Sequence, residues 1–347
     1  MSYYYQDPHF FWCESIEELK TRIETSDFVI YDQRLSCDID CLKSDRSPNL
    51  FFAIQGGEFL KDLHQCYPIF NVLMQNPHLP PKPRFIAIGG GSITDTVGFI
   101  AAIYKRGCPL VFVPSTWLAA IDAAHGGKNA LNYAGLKNML GTFYFPNEIW
   151  FCRALFERLP SEQAEDAWAE ALKVALIDSH SLYKKMCQTV QSSSSCQDGH
   201  TQKTPCIDLW PLLPDLIEAK YKIVRQDPYD EKKIRYRLNL GHTLGHIIES
   251  QRQLSHGRAV GYGLRFAYEF SKFENVLETE LWLPGIPSLA ELQQLLPQLN
   301  NLAHFLKHDK KHTKGIEFVF IQRPGQIVTR SISIDQITSF IKYLSHG

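Results

Sequence analysis

The sequence predicts an α/β, Rossmann-like N-terminal nucleotide-binding domain at residues 1–155 and a mostly α-helical C-terminal domain at 156–347. Three observations predict it. A strand, a glycine turn, a helix and a second strand follow one another between Phe85 and Val113. From Ser161 onward, apolar residues recur at helical spacing. The chain then closes on a short hairpin pattern and one more helical pattern, with no internal repeat.

Length and composition set the bounds. A chain of 347 residues suits two domains. The hydrophobic fraction is 44% and the net charge is −1. These values exclude a disordered tail protein and give no nucleic-acid footprint. No run is long and apolar enough for a membrane span. The start, Met1-Ser2-Tyr3-Tyr4-Tyr5, lacks the basic region and apolar core of a signal peptide. Nine cysteines without a Cys-x-x-Cys pair read as reduced thiols. The expectation is a cytoplasmic protein.

Residues 1–26 say little. Phe28-Val29-Ile30-Tyr31 predicts a buried strand, with Asp32 at the carboxyl end where ligands gather in open α/β sheets. A surface Asp ending a strand reads the same way. Phe51–Ile54 predicts a second strand running into Gly56-Gly57-Glu58, with Lys61 one turn beyond Glu58. This could be a ligand-facing turn or a helix start with a surface ion pair.

Phe85-Ile86-Ala87-Ile88 is the next strand, Gly89-Gly90-Gly91-Ser92 the turn, and Thr94-Asp95 the opening of a helix. Such a turn lets backbone N–H groups approach a pyrophosphate at a helix start. It matches neither Gly-x-Gly-x-x-Gly nor a Walker loop, so a plain tight turn stays open. Leu110–Val113 completes the βαβ unit, and its exit carries Ser115 and Thr116. Residues 122–138 are dense in polar groups, among them Asp122, His125, Lys128, Asn129, Asn132, Lys137 and Asn138. Gly126-Gly127-Lys128 can approach an anion or form a solvated loop. Met139–Tyr144 and Ile149–Phe151 read as core.

In the second half, 164–177 is a strong helix with Glu170 among apolar neighbours, where a carboxylate needs a cation or a metal. Residues 188–207 read as a loop, and 209–225 and 231–270 as helices. Glu317–Ile321 and Gln326–Thr329 predict a hairpin, and Ile334–Leu344 a last helix. His242 and His246 lie four apart on one helical face, with His256 ten residues further on. Imidazole nitrogen is a good zinc ligand, although a pair at this spacing also arises by chance. No Glu follows His242, which argues against a zinc protease. Gly241 and Gly245 mark close packing or close approach of a ligand.

Taken together, these residues resemble the 3-dehydroquinate synthase family of sugar-phosphate cyclases. The resemblance runs from about residue 28 to 345. It rests on Gly57-Glu58-x-x-Lys61, Gly89-Gly90-Gly91 with Asp95, Lys105-Arg106-Gly107, Pro114-x-Thr116-x-Leu118, and Asp122 with Gly126-Gly127-Lys128. It continues through Lys137-Asn138, Ala169-Glu170-x-x-Lys173, Asn239-x-Gly241-His242-Thr243-x-Gly245-His246-x-x-Glu249, His256-Gly257 and Asp309-Lys310-Lys311.

The resemblance implies roles. Glu170, His242 and His256 match the ligands of a catalytic zinc, for which cobalt also serves. Asp32, Glu58, Lys61, Gly89, Gly90, Gly91, Asp95, Ser115, Thr116, Leu118, Asp122, Lys128 and Lys137 match an NAD site. Asp122, Lys128, Asn138, Lys173, Glu231, Arg235 and Asn239 match substrate contacts, with Lys310 or Lys311 and with Lys220 in preference to Lys222 for a carboxylate. His246 matches a phosphate contact, and Arg106 an arginine reaching a phosphate across a homodimer interface. The implied reaction turns 3-deoxy-D-arabino-heptulosonate 7-phosphate into 3-dehydroquinate and phosphate, with NAD regenerated each turnover.

The sequence departs from the family pattern at Thr94, Ser115, His125, Asn129, Arg158 and Arg258, and the run 226–231 is one residue longer. The alternative is a sister cyclase, such as 2-deoxy-scyllo-inosose synthase or a sedoheptulose 7-phosphate cyclase. A net metal-dependent alcohol dehydrogenase would accumulate NADH, and a non-catalytic relative would not need the Glu-His-His set.

Overall fold

The computed structural model describes residues 5–43, 50–194, 208–299 and 315–346. The chain forms two compact units, Met1–Pro160 and Ser161–Gly347.

The first unit is built on β1 (His9–Cys13), β2 (Phe28–Asp32), β3 (Phe51–Ile54), β4 (Phe85–Gly89), β5 (Leu110–Pro114) and β8 (Glu148–Cys152). They form one parallel sheet in the order β1-β8-β5-β4-β2-β3. Every residue of β2, β4 and β5 is buried. That is why these strands are apolar without alternation: both faces of a parallel sheet are covered. The helices are α1 (Ile16–Arg22), α2 (Ser36–Lys43), α3 (Tyr67–Gln75), α4 (Gly91–Ile103) and α5 (Arg153–Phe156). β2 connects toward β3 on one side, and β4 toward β5 on the other. The carboxyl ends of β2 and β4 therefore flank the switch point where open α/β sheets bind ligands.

One part of this unit carries no clear signal in the sequence, and another differs from expectation. The first 26 residues hold β1 and α1, the latter capped by Ser15, whose Oγ accepts from Glu18 N at 3.2 Å. Met139–Tyr144 is not core. Met139–Phe143 belongs to a separate antiparallel hairpin of β6 (Lys128–Tyr133) and β7 (Leu136–Phe143), and Met139 is 57% exposed. A two-stranded ribbon has too little cover to bury both faces.

The second unit centres on α6 (Ser161–Asp178), buried at every residue from Ala167 to Ile177. A helix apolar all round is a core helix. Around it lie α7 (His180–Ser194), α8 (Leu213–Val224), α9 (His242–Arg252), α10 (His256–Phe273) and α11 (Leu289–Leu295). The predicted hairpin and last helix are present as β9 (Ile316–Arg323), β10 (Gln326–Ile332) and α12 (Ile334–His346). Phe270 stacks on Phe340 at 4.7 Å and tilts against Phe320 at 5.3 Å, tying α10 to these elements.

Residues 188–194 are helical rather than loop, and the rest of that expected loop lies outside the described residues. The expected helix at 231–270 is broken. Lys233 (φ 60°), Gly241 (φ 81°) and Gln253 (φ 52°) adopt left-handed backbone, which ends helices. A short 3-10 turn, Ile234–Asn239, then α9 and α10 result.

Candidate active site

In the first unit the glycine turn leads directly into α4, with Gly90 at its N-cap. A Cβ on Gly90 would lie 3.3 Å from Thr116 Cγ2, so the turn and the exit of β5 lie against each other. Ser115 N donates to Gly89 O at 2.9 Å. Leu118 follows, then a single π-helical turn, Ala119–Ala123, that carries Asp122. Asp32 is buried at the end of β2. Its Oδ1 accepts from Arg34 Nε at 3.0 Å and its Oδ2 from Arg34 Nη2 at 2.5 Å. Burial works against the charge, but these bonds hold the carboxyl below the usual Asp value.

Glu58 and Lys61 do not pair with each other. Lys61 is buried and donates to Asp95 Oδ2 at 2.7 Å and to Asn138 Oδ1 at 2.6 Å. Glu58 Oε1 accepts from Asn132 Nδ2 at 2.8 Å, and Asn132 Oδ1 accepts from Asn138 N at 2.9 Å. One network thus joins Glu58, Asn132, Asn138, Lys61 and Asp95. Burial lifts the Asp95 carboxyl to about 6, with Lys61 opposing the shift. Lys128, Lys137 and Arg106 are exposed, and Arg106 has a left-handed backbone.

In the second unit Glu170 is 0% exposed and Lys173, one turn on, is 2% exposed. Lys173 Nζ pairs with Glu170 Oε2. Glu170 Oε1 faces His242 Nε2 at 3.4 Å and His256 Nε2 at 3.3 Å. Two close approaches bring these residues together. A Cβ on Gly257 would lie 1.5 Å from Asp166 O, so only glycine lets α10 start this close to α6. A Cβ on Gly263 would lie 1.8 Å from Gly241 O, the residue before His242.

Among the described residues, Glu170, His242 and His256 form a group whose ligand atoms all lie within 4.8 Å of one another. The donor set suits a divalent metal. Each ring anchors its Nδ1, His242 at Leu240 O (3.3 Å) and His256 at Glu249 Oε2 (3.0 Å). Each then turns Nε2 toward the carboxylate. Burial and the nearby Lys173 lower His242 to about 3, so it is a neutral ligand-type imidazole. Burial opposes charge on His256 too, but Glu170 and Glu249 raise it to about 10.

His246 is exposed, its ring 5.1 Å from that of His242. Arg235 is buried, with Nη1 donating to Pro228 O at 2.8 Å. Asn239 and Glu231 are exposed. Lys220 is buried, whereas Lys222 turns outward to Asp178 at 2.7 Å. Lys310 and Lys311 lie outside the described residues.

The departures have structural partners. His125 and Asn129 are buried and bond to main-chain carbonyls, His125 Nε2 to Ala120 O and Asn129 Nδ2 to Gly127 O and Tyr144 O. Thr94 is buried and donates to Gly91 O. Arg158 pairs with Asp38. The run at 226–231 is organised by buried Asp227, which accepts from the backbone N–H groups of Glu231, Lys232 and Ile234 at 2.8, 3.1 and 3.0 Å. Arg34, Asn132 and Asp227 were given no site role from sequence. Arg34 carries one local signal, a cation two residues past a strand-ending Asp, and Asn132 another, its place in the polar-dense stretch 122–138.

The fold is a parallel α/β unit followed by a helical unit, and solved structures share it. The solved structure of 2-epi-5-epi-valiolone synthase from Streptomyces hygroscopicus, with NAD+ and Zn2+ bound, superposes with a TM-score of 0.74 at 17% identity, covering 99% of this chain and 98% of that one. Family models for the 3-dehydroquinate synthase N-terminal and C-terminal regions match residues 51–166 and 167–312. The 3-dehydroquinate synthase of Dehalococcoides mccartyi is 34% identical over 300 residues, 82% of this chain and 79% of its own. That of Saccharolobus solfataricus is 32% identical over 338 residues, 94% of this chain and 92% of its own. The chain belongs to the 3-dehydroquinate synthase family.

Proposed function

We propose that this chain converts 3-deoxy-D-arabino-heptulosonate 7-phosphate into 3-dehydroquinate and phosphate. The observation that carries the reading is the Glu170, His242 and His256 cluster in a chain of this family, with both rings anchored at Nδ1 and facing the carboxylate through Nε2. These three residues would hold a zinc or cobalt ion, which supplies Lewis acidity toward adjacent substrate hydroxyls. The turn at Gly89, Gly90 and Gly91, with Asp32, Glu58, Lys61, Asp95, Ser115, Thr116, Leu118, Asp122, Lys128 and Lys137, would hold NAD, which supplies a transient oxidation reversed within the turnover.

The chain's own groups do the rest. Lys173, buried against Glu170, places an ammonium beside the metal position. It balances charge there and can carry a proton to or from substrate oxygen. Arg235 offers a planar fork for a carboxylate, and Lys220 a second cation for it. His246, Asn239, Asn138 and Arg106 take the phosphate roles, Arg106 toward a second copy in a homodimer. Glu231 completes the substrate set. Among the described residues no helix is long and apolar enough to cross a membrane, and a cytoplasmic location with no nucleic-acid or membrane partner is part of the same reading.

The test is product formation from 3-deoxy-D-arabino-heptulosonate 7-phosphate, with zinc and NAD supplied. 3-Dehydroquinate and phosphate are expected together. Turnover of glucose 6-phosphate or sedoheptulose 7-phosphate instead would replace this reading with a sister cyclase.

A further inference from the structure

Glu249 is an acid that none of these roles uses. It stands seven residues after His242 on α9, so His242, His246 and Glu249 follow one helix face. Its Oε2 lies 3.0 Å from Nδ1 of His256, and Nε2 of the same ring lies 3.3 Å from Glu170 Oε1. An imidazole that ligates a metal has given up one proton and keeps one N–H and one lone pair. Donating Nδ1–H to Glu249 leaves the lone pair on Nε2, facing the position of the metal.

We propose that Glu249 is a positioning residue of the metal site. It fixes the tautomer and ring orientation of His256 and strengthens its nitrogen as a donor, without touching the metal. The inference rests on the reading of Glu170, His242 and His256 as ligands. The chain itself supplies the contrast. His242 has the same arrangement, but its Nδ1 is held by a main-chain carbonyl, Leu240 O, at 3.3 Å. For His256 that job falls to a side chain from the neighbouring helix. The left-handed backbone at Gln253 turns the chain back after α9, which sets the start of α10 beside its last turns.

A carboxylate is the stronger choice of acceptor. A charge-assisted bond is shorter and firmer than a neutral one. It also adds negative charge on the far side of the ring, which favours a cation at Nε2. Around the cluster, Glu170 pairs with the ammonium of Lys173 and Glu249 with the far side of the His256 ring.

The experiment measures zinc and cobalt dissociation constants for the parent chain, Glu249→Gln and Glu249→Ala by competition with a chromogenic chelator. Metal-free thermal unfolding and the visible absorption of the cobalt form are recorded alongside. Glu249→Ala is expected to weaken both metals by about 10- to 100-fold, to shift the cobalt bands, and to leave metal-free unfolding close to the parent's. Glu249→Gln keeps an oxygen that accepts from Nδ1–H, so a smaller loss is expected. If Glu249→Ala unfolds without metal, the Gln variant carries the test. Metal affinities within about twofold of the parent in the folded variants, with unchanged cobalt spectra, would overturn the inference and leave the ligand assignment standing. A parent chain that takes up neither metal would overturn both.

Discussion

His256 Nε2 lies 3.3 Å from Glu170 Oε1 although 86 residues separate them in sequence. The carboxylate is fully buried, and its other oxygen is paired with Lys173. Replacing Glu170 by Ala leaves the Lys173 ammonium buried without that partner. Breaking a buried pair this way costs about 3–5 kcal/mol. Glu170→Ala is therefore expected to lose turnover and bound metal and to unfold at lower denaturant. Adding Lys173→Met to Glu170→Ala should recover part of the stability but none of the activity. Denaturant melts and metal content per subunit check both.

Asp227 collects three backbone N–H groups in the loop before Arg235. Burial disfavours its charge, yet these bonds hold the carboxyl below its usual value of 3.8. A depressed folded value means that stability is present above the unfolded value and is lost as pH falls through the folded one. Asp227→Ala leaves buried donors unsatisfied, at about 1–3 kcal/mol. The deficit should be full at neutral pH and shrink below about pH 3.8, as the parent takes up its proton. Urea melts at neutral and acid pH measure it.

Asp95 is pushed the other way, to about 6, chiefly by burial. A raised folded value means that its stability contribution is present below the unfolded value of 3.8 and is lost as pH rises through about 6. At neutral pH the carboxylate is ionised and holds Lys61 at 2.7 Å. Acidification through about 6 protonates it and loosens that pair. NAD affinity is therefore expected to fall as pH drops through this range. Asp95→Asn should remove the inflection. Calorimetric titration across that range, with no metal present, reads it.

Gly257→Ala places a methyl 1.5 Å from Asp166 O. Overpacking of this kind costs about 1–3 kcal/mol. Because His256 is the neighbouring residue, metal affinity should fall with stability. Unchanged metal affinity would show that this close approach does not position the ligand.

Much of the fold is legible in the sequence because it is local. The apolar runs at 28–31, 85–88 and 110–113 have a face-to-face burial that needs no knowledge of neighbours, and they form β2, β4 and β5. The turn at Gly89–Gly91 and the buried acid at Glu170 are equally readable. Long-range choices are not. Lys61 has an acid one turn away in Glu58 but pairs with Asp95, 34 residues on. The apolar content of Met139–Tyr144 suggests burial, yet Met139–Phe143 lies on a two-stranded ribbon. The helical periodicity across 231–270 hides three left-handed residues, two of them not glycine. His242 and His256 share a ligand group only because Gly257 and Gly263 allow backbones to meet.

The most direct test of the account is the ratio of phosphate released to NADH formed, with zinc present, NAD substoichiometric and 3-deoxy-D-arabino-heptulosonate 7-phosphate in excess. The account predicts many phosphates per NAD and no build-up of NADH. NADH accumulating in step with product, or no phosphate at all from this substrate, would contradict it.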